Sequence, residues 1–275
     1  MKQMLLVLGA LSLTTCAQQS SPPPDAVTGL QGVATEAGSL AGTWGMVVEL
    51  ATILTLPVFG DRNAGSQNLW LVTRSWDASA GVYRDSFVWC DLEVWEVEGN
   101  KLTVSPETLH KHPAVHFSST VDHASGSMKA EHVLDIWGLR NLPDPYNTEL
   151  PTRHNWEQSP QRDWIYDEDE DGKPATTGHT TGAAAGEVYQ VVRGIYTFDA
   201  TVIGPDRIQG LTTMEKYEQN VIDATNPLAE GESKVRQDPD PRNTWLDMAR
   251  LREGATCDDA IQARADGRLS ATRPF

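Results

Sequence analysis

Basic residues are scarce in this chain relative to acidic ones. It carries 22 Lys and Arg against 38 Asp and Glu over 275 residues, a formal net charge of −16 at pH 7. A surface with this balance repels the phosphates of nucleic acids and the head groups of anionic lipids. The composition therefore argues against a nucleic-acid partner and against direct electrostatic binding to a membrane, and it suits surroundings that supply cations.

Long apolar runs are missing as well. The stretch Met4–Leu13 is too short to span a bilayer comfortably, and no later stretch is apolar enough to do so. Lys2 precedes this stretch, and small or polar residues follow it. This pattern predicts a secretory signal peptide over residues 1–15.

The sequence Leu-Thr-Thr-Cys at 13–16 resembles the bacterial lipobox, in which the cysteine receives lipid and becomes the new N-terminus. The resemblance implies lipidation of Cys16 and, from Ala17 and Gln18 behind it, the outer membrane. An ordinary cleaved signal peptide with an incidental cysteine is the alternative. Residues 16–38 show no apolar periodicity, so we predict a flexible tether before a folded domain at 39–275.

Cysteine is rare, with three in the chain. If Cys16 carries lipid, Cys90 and Cys257 remain, and two cysteines in an oxidising compartment allow one pairing. We therefore predict a Cys90–Cys257 disulfide, with two buried thiols as the alternative. In the chain-entropy model, a bridge that closes so long a loop stabilises the fold by about 4–5 kcal/mol.

Most of the folded part alternates apolar and polar residues with the period of a β-strand. In the stretch 43–50 every second residue is large and apolar, and the turn at 204–207 separates two further alternating runs in a hairpin pattern. Helix signals are few. The best covers 257–269, with Asp258 or Asp259 as the predicted cap.

Many short strands separated by turn signals indicate a mostly β fold, an antiparallel barrel or sandwich. Residues 105–165 lack the alternation and are rich in His, Pro and Asn, so we predict a long irregular excursion there, with one strand or helix at 130–139. Gly42 and Trp44 form a Gly-x-Trp motif that resembles the first strand of lipocalin-type barrels, where the tryptophan closes one barrel end. The resemblance favours a barrel.

A run of acidic residues from Asp167 to Asp171 opens the loop 166–178. Asp167, Asp169 and Asp171 have the D-x-D-x-D-G spacing of calcium loops, in which alternate carboxylates face one centre and a glycine allows the bend. After that glycine, Lys173 offers its backbone carbonyl as a fourth ligand. We predict a Ca²⁺ site, with a solvated acidic loop as the alternative.

The two glutamates between the aspartates, Glu168 and Glu170, are predicted to point outward. The loop is not an EF-hand, because Gly178 stands where a bidentate Glu is needed and the flanks are not helical. The site is therefore predicted to be weak, with a dissociation constant of about 10⁻⁴–10⁻³ M. The remaining ligands are water or side chains among Thr176, Thr177, Asp163 and Glu187.

Several segments together resemble a group of uncharacterised lipoproteins of Gram-negative bacteria. The similar segments are 137–152, 167–177 (against their D-x-D-G-D-G-x-P-G-V-T loop), 186–194 and 248–259. Glu170 and Ala175 replace glycines of that loop, which predicts local strain. The resemblance implies calcium binding and a location in the cell envelope, and it implies no catalytic activity.

Histidines make up the other candidate site: His110, His112, His116, His123 and His132. His-x-His spacing on a strand places both imidazoles on one face, as some zinc sites require. A polar surface loop is the simpler interpretation, so zinc is not favoured. The sequence has no G-x-S-x-G, H-E-x-x-H or phosphate-loop motif, and no catalytic residue is predicted.

The sequence thus predicts a non-enzymatic lipoprotein that is lipid-anchored in the outer membrane and carries a structural calcium loop. The first alternative is a lipocalin-like carrier of an apolar ligand, with a cavity lined by Trp70 or Trp95. The second is a metal-dependent hydrolase that uses the cluster His110–His132. Neither the ligand nor a protein partner follows from the sequence.

Overall fold

A computed structural model describes residues 28–56 and 60–275. The predicted signal peptide, Cys16 and the first part of the predicted tether lie outside the described residues. In the described ranges, no helix is long and apolar enough to cross a membrane. The folded part begins before residue 39, because the amides of Val33 and Thr35 donate to the carbonyls of Val202 and His123, both at 2.9 Å.

Eleven strands run through the described ranges in one sheet. The strands are β1 (Gly42–Leu56), β2 (Gly60–Asp77), β3 (Val82–Val94), β4 (Leu102–Thr103), β5 (Val115–Val121), β6 (Ser127–Trp137), β7 (Thr176–Thr180), β8 (Gly186–Gly204), β9 (Arg207–Ala224), β10 (Gly231–Gln237) and β11 (Trp245–Arg250). Helices α1 (Pro106–Lys111), α2 (Gln161–Trp164) and α3 (Cys257–Ala265) lie outside the sheet order.

The antiparallel pairings form a ring. It runs β1–β2–β3–β5–β6–β8–β9–β11 and returns from β11 to β1. β10 pairs with both β1 and β9, while β7 and β4 extend the sheet from β8. The predicted mostly β fold with an antiparallel sheet is confirmed, and the sheet partly closes into a barrel.

Alternate side chains of these strands fill the inside of the ring. Trp70 is fully buried there, stacked on Phe87 with ring centroids 4.1 Å apart and 5.2 Å from the ring of Trp89. Trp44 of the Gly-x-Trp motif is also fully buried, and the guanidinium of Arg250 lies 4.5 Å above its ring. The period-two pattern of the sequence thus separates interior from exterior.

The Cys90–Cys257 disulfide is present, with the two Cα atoms 5.0 Å apart. It ties the start of α3 to β3, and α3 packs Ala260 and Ala263 into an apolar cluster on the outer face of the barrel. The predicted Asp cap of this helix is wrong. Thr256 is the cap, and Asp259 sits three positions later, where it completes a reciprocal capping box.

The irregular excursion is shorter than predicted. Residues 105–137 contain α1, β5 and β6, and only 138–165 are largely without strands. The alternation of β6 is obscured by a bulge between Ala130 and Val133, where His132 has a φ of 54°. A bulge adds a residue to one strand and shifts every following side chain to the other face, which hides the period.

Candidate metal centre

The acidic loop leads from α2 into β7 and is fixed at both ends. The amide of Tyr166 donates to the carbonyl of Gly138 at 3.0 Å, and the amide of Glu168 donates to the carbonyl of Ala175 at 3.2 Å. β7 then pairs with β8 from Thr176 onward. These hydrogen bonds therefore hold the two ends of the loop close together beside the sheet.

The predicted aspartates converge. One carboxylate oxygen from each of Asp167, Asp169 and Asp171 lies within 4.8 Å of the others, and within the described ranges no other group of three or more His, Cys, Asp or Glu does so. Backbone amides orient them: Asp167 accepts from Asp171 at 3.2 Å and from Gly172 at 3.0 Å, and Asp171 accepts from Lys173 at 2.8 Å. An oxygen that accepts one such bond keeps a lone pair for a cation.

Asp169 is the residue that points to a ligand. It is 5% exposed, and its Oδ1 has no hydrogen-bond partner in the described part of the chain, while its Oδ2 accepts from the amide of Thr177 at 2.9 Å. Burial raises the pKa of this carboxyl, the amide of Thr177 lowers it, and the charge of Asp171 raises it further. An unpartnered carboxylate oxygen beside two more carboxylates fits an oxygen-preferring cation such as Ca²⁺.

The backbone of the loop has a positive φ at each position where the calcium loops that it resembles carry glycine. Gly172 has a φ of 81°, as the predicted bend requires. Glu170 and Ala175, which replace glycines, have φ values of 56° and 64°, a region costly for any residue with a Cβ atom. Strain at these two positions is therefore present, as predicted. The placement of the Lys173 carbonyl at a cation stays a prediction.

Glu168 does not point outward, so that prediction is wrong. It is 3% exposed, its carboxylate accepts from the amide of Gly138, and it contacts Nδ1 of His112. On the other side of the same imidazole, Nε2 lies 2.8 Å from Asp135, whose second oxygen accepts from the indole of Trp137 at 3.1 Å. Two neighbouring residues of the loop, 168 and 169, are therefore both buried.

His112 is a buried cation between two carboxylates. Burial alone lowers the pKa of this imidazole, but Asp135 and Glu168 outweigh it and raise the pKa to about 9. The ring stacks on Trp137 with centroids 4.3 Å apart. Sequence reasoning singled out His112 as a zinc candidate and missed its role. The only signal available was a histidine at the end of a weak helix pattern.

The other histidines are spread apart. His110 and His116 are exposed, His123 accepts or donates to Thr35 at 2.8 Å, and His132 contacts Glu215 at 2.7 Å. His110 and His112 belong to α1 and its C-cap, not to a strand. The structure therefore does not bring the predicted cluster together around one metal position.

The two tryptophans predicted to line a ligand cavity lie in different environments. Trp70 packs inside the barrel among other aromatic rings, whereas Trp95 is 37% exposed and lies close to Gly65 of β2. A cavity of about 380 Å³ in the described part lies between Glu149, Tyr217 and Lys234. This packing favours a side-chain-filled interior over a carrier cavity.

No protein-family model matches the chain, and no curated protein matches it. Among solved structures, DynF from the dynemicin biosynthesis pathway of Micromonospora chersina is similar over 88% of this chain and 95% of its own. The identity is 11% and the TM-score 0.27. A likeness at this level carries no argument about fold or function.

Proposed function

We propose that this chain is a non-enzymatic lipoprotein of the cell envelope, anchored in the outer membrane by lipid on Cys16, with a Ca²⁺ held by the acidic loop. The calcium serves structure: it neutralises adjacent carboxylates and fixes the loop against the sheet. The observation that carries the metal site is the buried Oδ1 of Asp169, which lies beside Asp167 and Asp171 and has no hydrogen-bond partner among the described residues.

The chemistry of the donor set supports calcium over zinc. The converging atoms are carboxylate oxygens, which Ca²⁺ and Mg²⁺ prefer, while structural zinc sites use Cys and His. Six to eight oxygens complete a calcium shell, so three aspartates leave positions for water and for a backbone carbonyl such as that of Lys173. The hydroxyl of Thr177, which donates to Asp171 at 2.7 Å, stands next to this centre.

Lipid attachment and envelope location rest on the sequence, through Cys16 and residues 1–15. They are tested by labelling cells with a radioactive fatty acid and isolating the protein. Label in the parent and none in Cys16→Ser supports the anchor. Equal labelling, or none in either protein, contradicts it.

Calcium binding is tested by calorimetric titration of the purified full-length protein. Saturable heat is expected for the parent and none for the double variant Asp167→Asn, Asp169→Asn, which removes charge without changing shape. Glu170→Gln is the matched control, because its side chain is exposed and it removes one charge from the same loop. Binding that survives in the double variant, or is lost equally in the control, contradicts the proposed ligand set.

A further inference from the structure

The barrel wall has a gap between β3 and β6. β5 pairs with β3 over Tyr83–Phe87 but with β6 only at two positions, and β6 beyond Val133 pairs on one side, with β8. In the described part of the chain, no strand joins residues 88–94 of β3 to residues 133–137 of β6. Strand edges left unpaired at such a place need to be covered by a helix or a loop.

Helix α1 and His112 fill this gap. α1 contacts β3, and Leu109 joins the interior cluster of the barrel. The ring of His112 bridges the two sides, with its centroid 6.4 Å from that of Trp89 on β3 and 4.3 Å from that of Trp137 on β6. The wall is therefore completed by a helix of less than two turns.

Side chains, rather than backbone hydrogen bonds, attach α1 to the rest of the barrel. Within the described ranges, the backbone hydrogen bonds of residues 105–113 stay inside this segment, such as Leu109 to Ser105 and His112 to Thr108. A helix this short has little stability of its own and depends on its tertiary contacts.

Those side chains reach the acidic loop. The hydroxyl of Thr108 donates to Asp169 at 3.3 Å, the ammonium of Lys111 donates to the carbonyl of Asp169, and the imidazole of His112 contacts Glu168. Lys111 also lies 3.6 Å from Glu170. Loop residues 168–170 thus contact three residues of α1 and its C-cap: Thr108, Lys111 and His112.

We propose that α1 is a gate in the barrel wall and that cation binding in the acidic loop holds this gate shut. The inference rests on the proposed function, because it assigns a regulatory consequence to the same metal site. Asp169 connects the two, since it supplies a ligand oxygen on one side and holds Thr108 and Lys111 on the other.

The physical reason is the repulsion inside the loop. Without a cation, the buried carboxylate of Asp169 stands beside those of Asp167 and Asp171, so the closed loop is higher in free energy. A cation removes that repulsion and fixes Asp169 in place. When the loop loosens, Thr108 and Lys111 lose Asp169, and His112 loses Glu168 while it keeps Asp135. The wall then opens beside Trp89.

Hydrogen exchange measured by mass spectrometry tests the gate, on the full-length protein in chelator and in about 10 mM CaCl₂. With a dissociation constant of about 10⁻³ M, calcium slows exchange in residues 104–114 about tenfold. The double variant Thr108→Val, Lys111→Met keeps every proposed ligand. It is expected to bind calcium and to show fast exchange in this segment with or without the ion. Lys101→Met, a partly exposed lysine outside α1, is the matched control and behaves like the parent.

The outcomes separate the gate from the metal site. Calcium binding by calorimetry with unchanged exchange in residues 104–114 overturns the gate and leaves the proposed function standing. No calcium binding removes both. A double variant whose segment 104–114 is still slowed by calcium shows that the loop does not act through Thr108 and Lys111, and this overturns the connection through Asp169 on which the gate rests.

Discussion

Two helices complete the same barrel, and they are held to it by opposite means. α3 is fastened by the Cys90–Cys257 disulfide and by small apolar side chains packed on the outer face. α1 is fastened by a buried imidazole, an ammonium and a hydroxyl that contact carboxylates and a carbonyl of the acidic loop. Arg264 of α3 also contacts Asp91 of β3, but this attachment includes none of the proposed cation ligands. We therefore expect the first attachment to respond little to calcium and to moderate changes of pH, and the second to depend on both. One barrel therefore carries a permanent fastening and an adjustable one.

Removing the disulfide should have the largest effect on stability. The variant Cys90→Ser, Cys257→Ser is expected to lose about 4–5 kcal/mol of unfolding free energy, because the bridge spans 167 residues and its loss frees the unfolded chain. Urea denaturation measures this loss. The loss should be equal in chelator and in calcium, and a calcium-dependent loss would contradict the separation of the two fastenings. Parent protein treated with reductant is the control and should match the variant.

Charge on His112 should have the next largest effect. Because its folded pKa is raised from 6.5 to about 9, the stabilisation is fully present below about pH 6.5. It is lost as the pH rises through about 9, on the order of 3 kcal/mol in all. Urea denaturation from pH 6 to 10 measures it. His112→Gln is expected to be less stable at pH 6 and to flatten this profile.

His110→Gln is the matched control for that profile, since His110 lies on the same helix and is exposed. It should leave the pH dependence unchanged. A parent protein with no loss of stability between pH 7 and pH 10 would contradict the buried cation. So would an equal flattening in both variants.

Local sequence patterns predicted the strands and the disulfide better than the contacts between α1 and the acidic loop. The alternation in β1 and the hairpin at 204–207 depend on residues close together in sequence, and the two cysteines expected to be exported allowed one pairing. The contact of His112 with Glu168 joins residues 56 positions apart, with no pattern that links them. The inward turn of Glu168 was missed for a related reason: alternation assigns one face to every second residue, whereas this loop is covered on both sides.

Calcium should strengthen the attachment of α1 to the acidic loop and leave the attachment of α3 unchanged. At about 10 mM Ca²⁺ and a dissociation constant of 10⁻⁴–10⁻³ M, mass action adds about 1.4–2.7 kcal/mol to the unfolding free energy. Thermal melts in chelator and in calcium measure this difference as a higher melting temperature in calcium. Magnesium at the same concentration tests the ion, since its strict octahedral geometry suits a flexible loop less well. An unchanged melting temperature in chelator would mean that the acidic run is only a solvated loop.

The smallest effect is expected at Glu170, where the loop departs from a glycine of the lipoprotein loops that the sequence resembles. Its φ of 56° costs about 1–2 kcal/mol for a residue with a Cβ atom, and glycine removes this cost. Glycine also makes the unfolded chain more flexible, which lowers the unfolding free energy by about 0.4–1 kcal/mol. Glu170→Gly should therefore gain up to about 1 kcal/mol, measured by urea denaturation in calcium. Glu157→Gly, at an exposed turn without a positive φ, is the control and should lose stability slightly. A loss at both positions would show that the strain in the loop is relieved by contacts of Glu170 itself, of which the nearest is Lys111 on the gate.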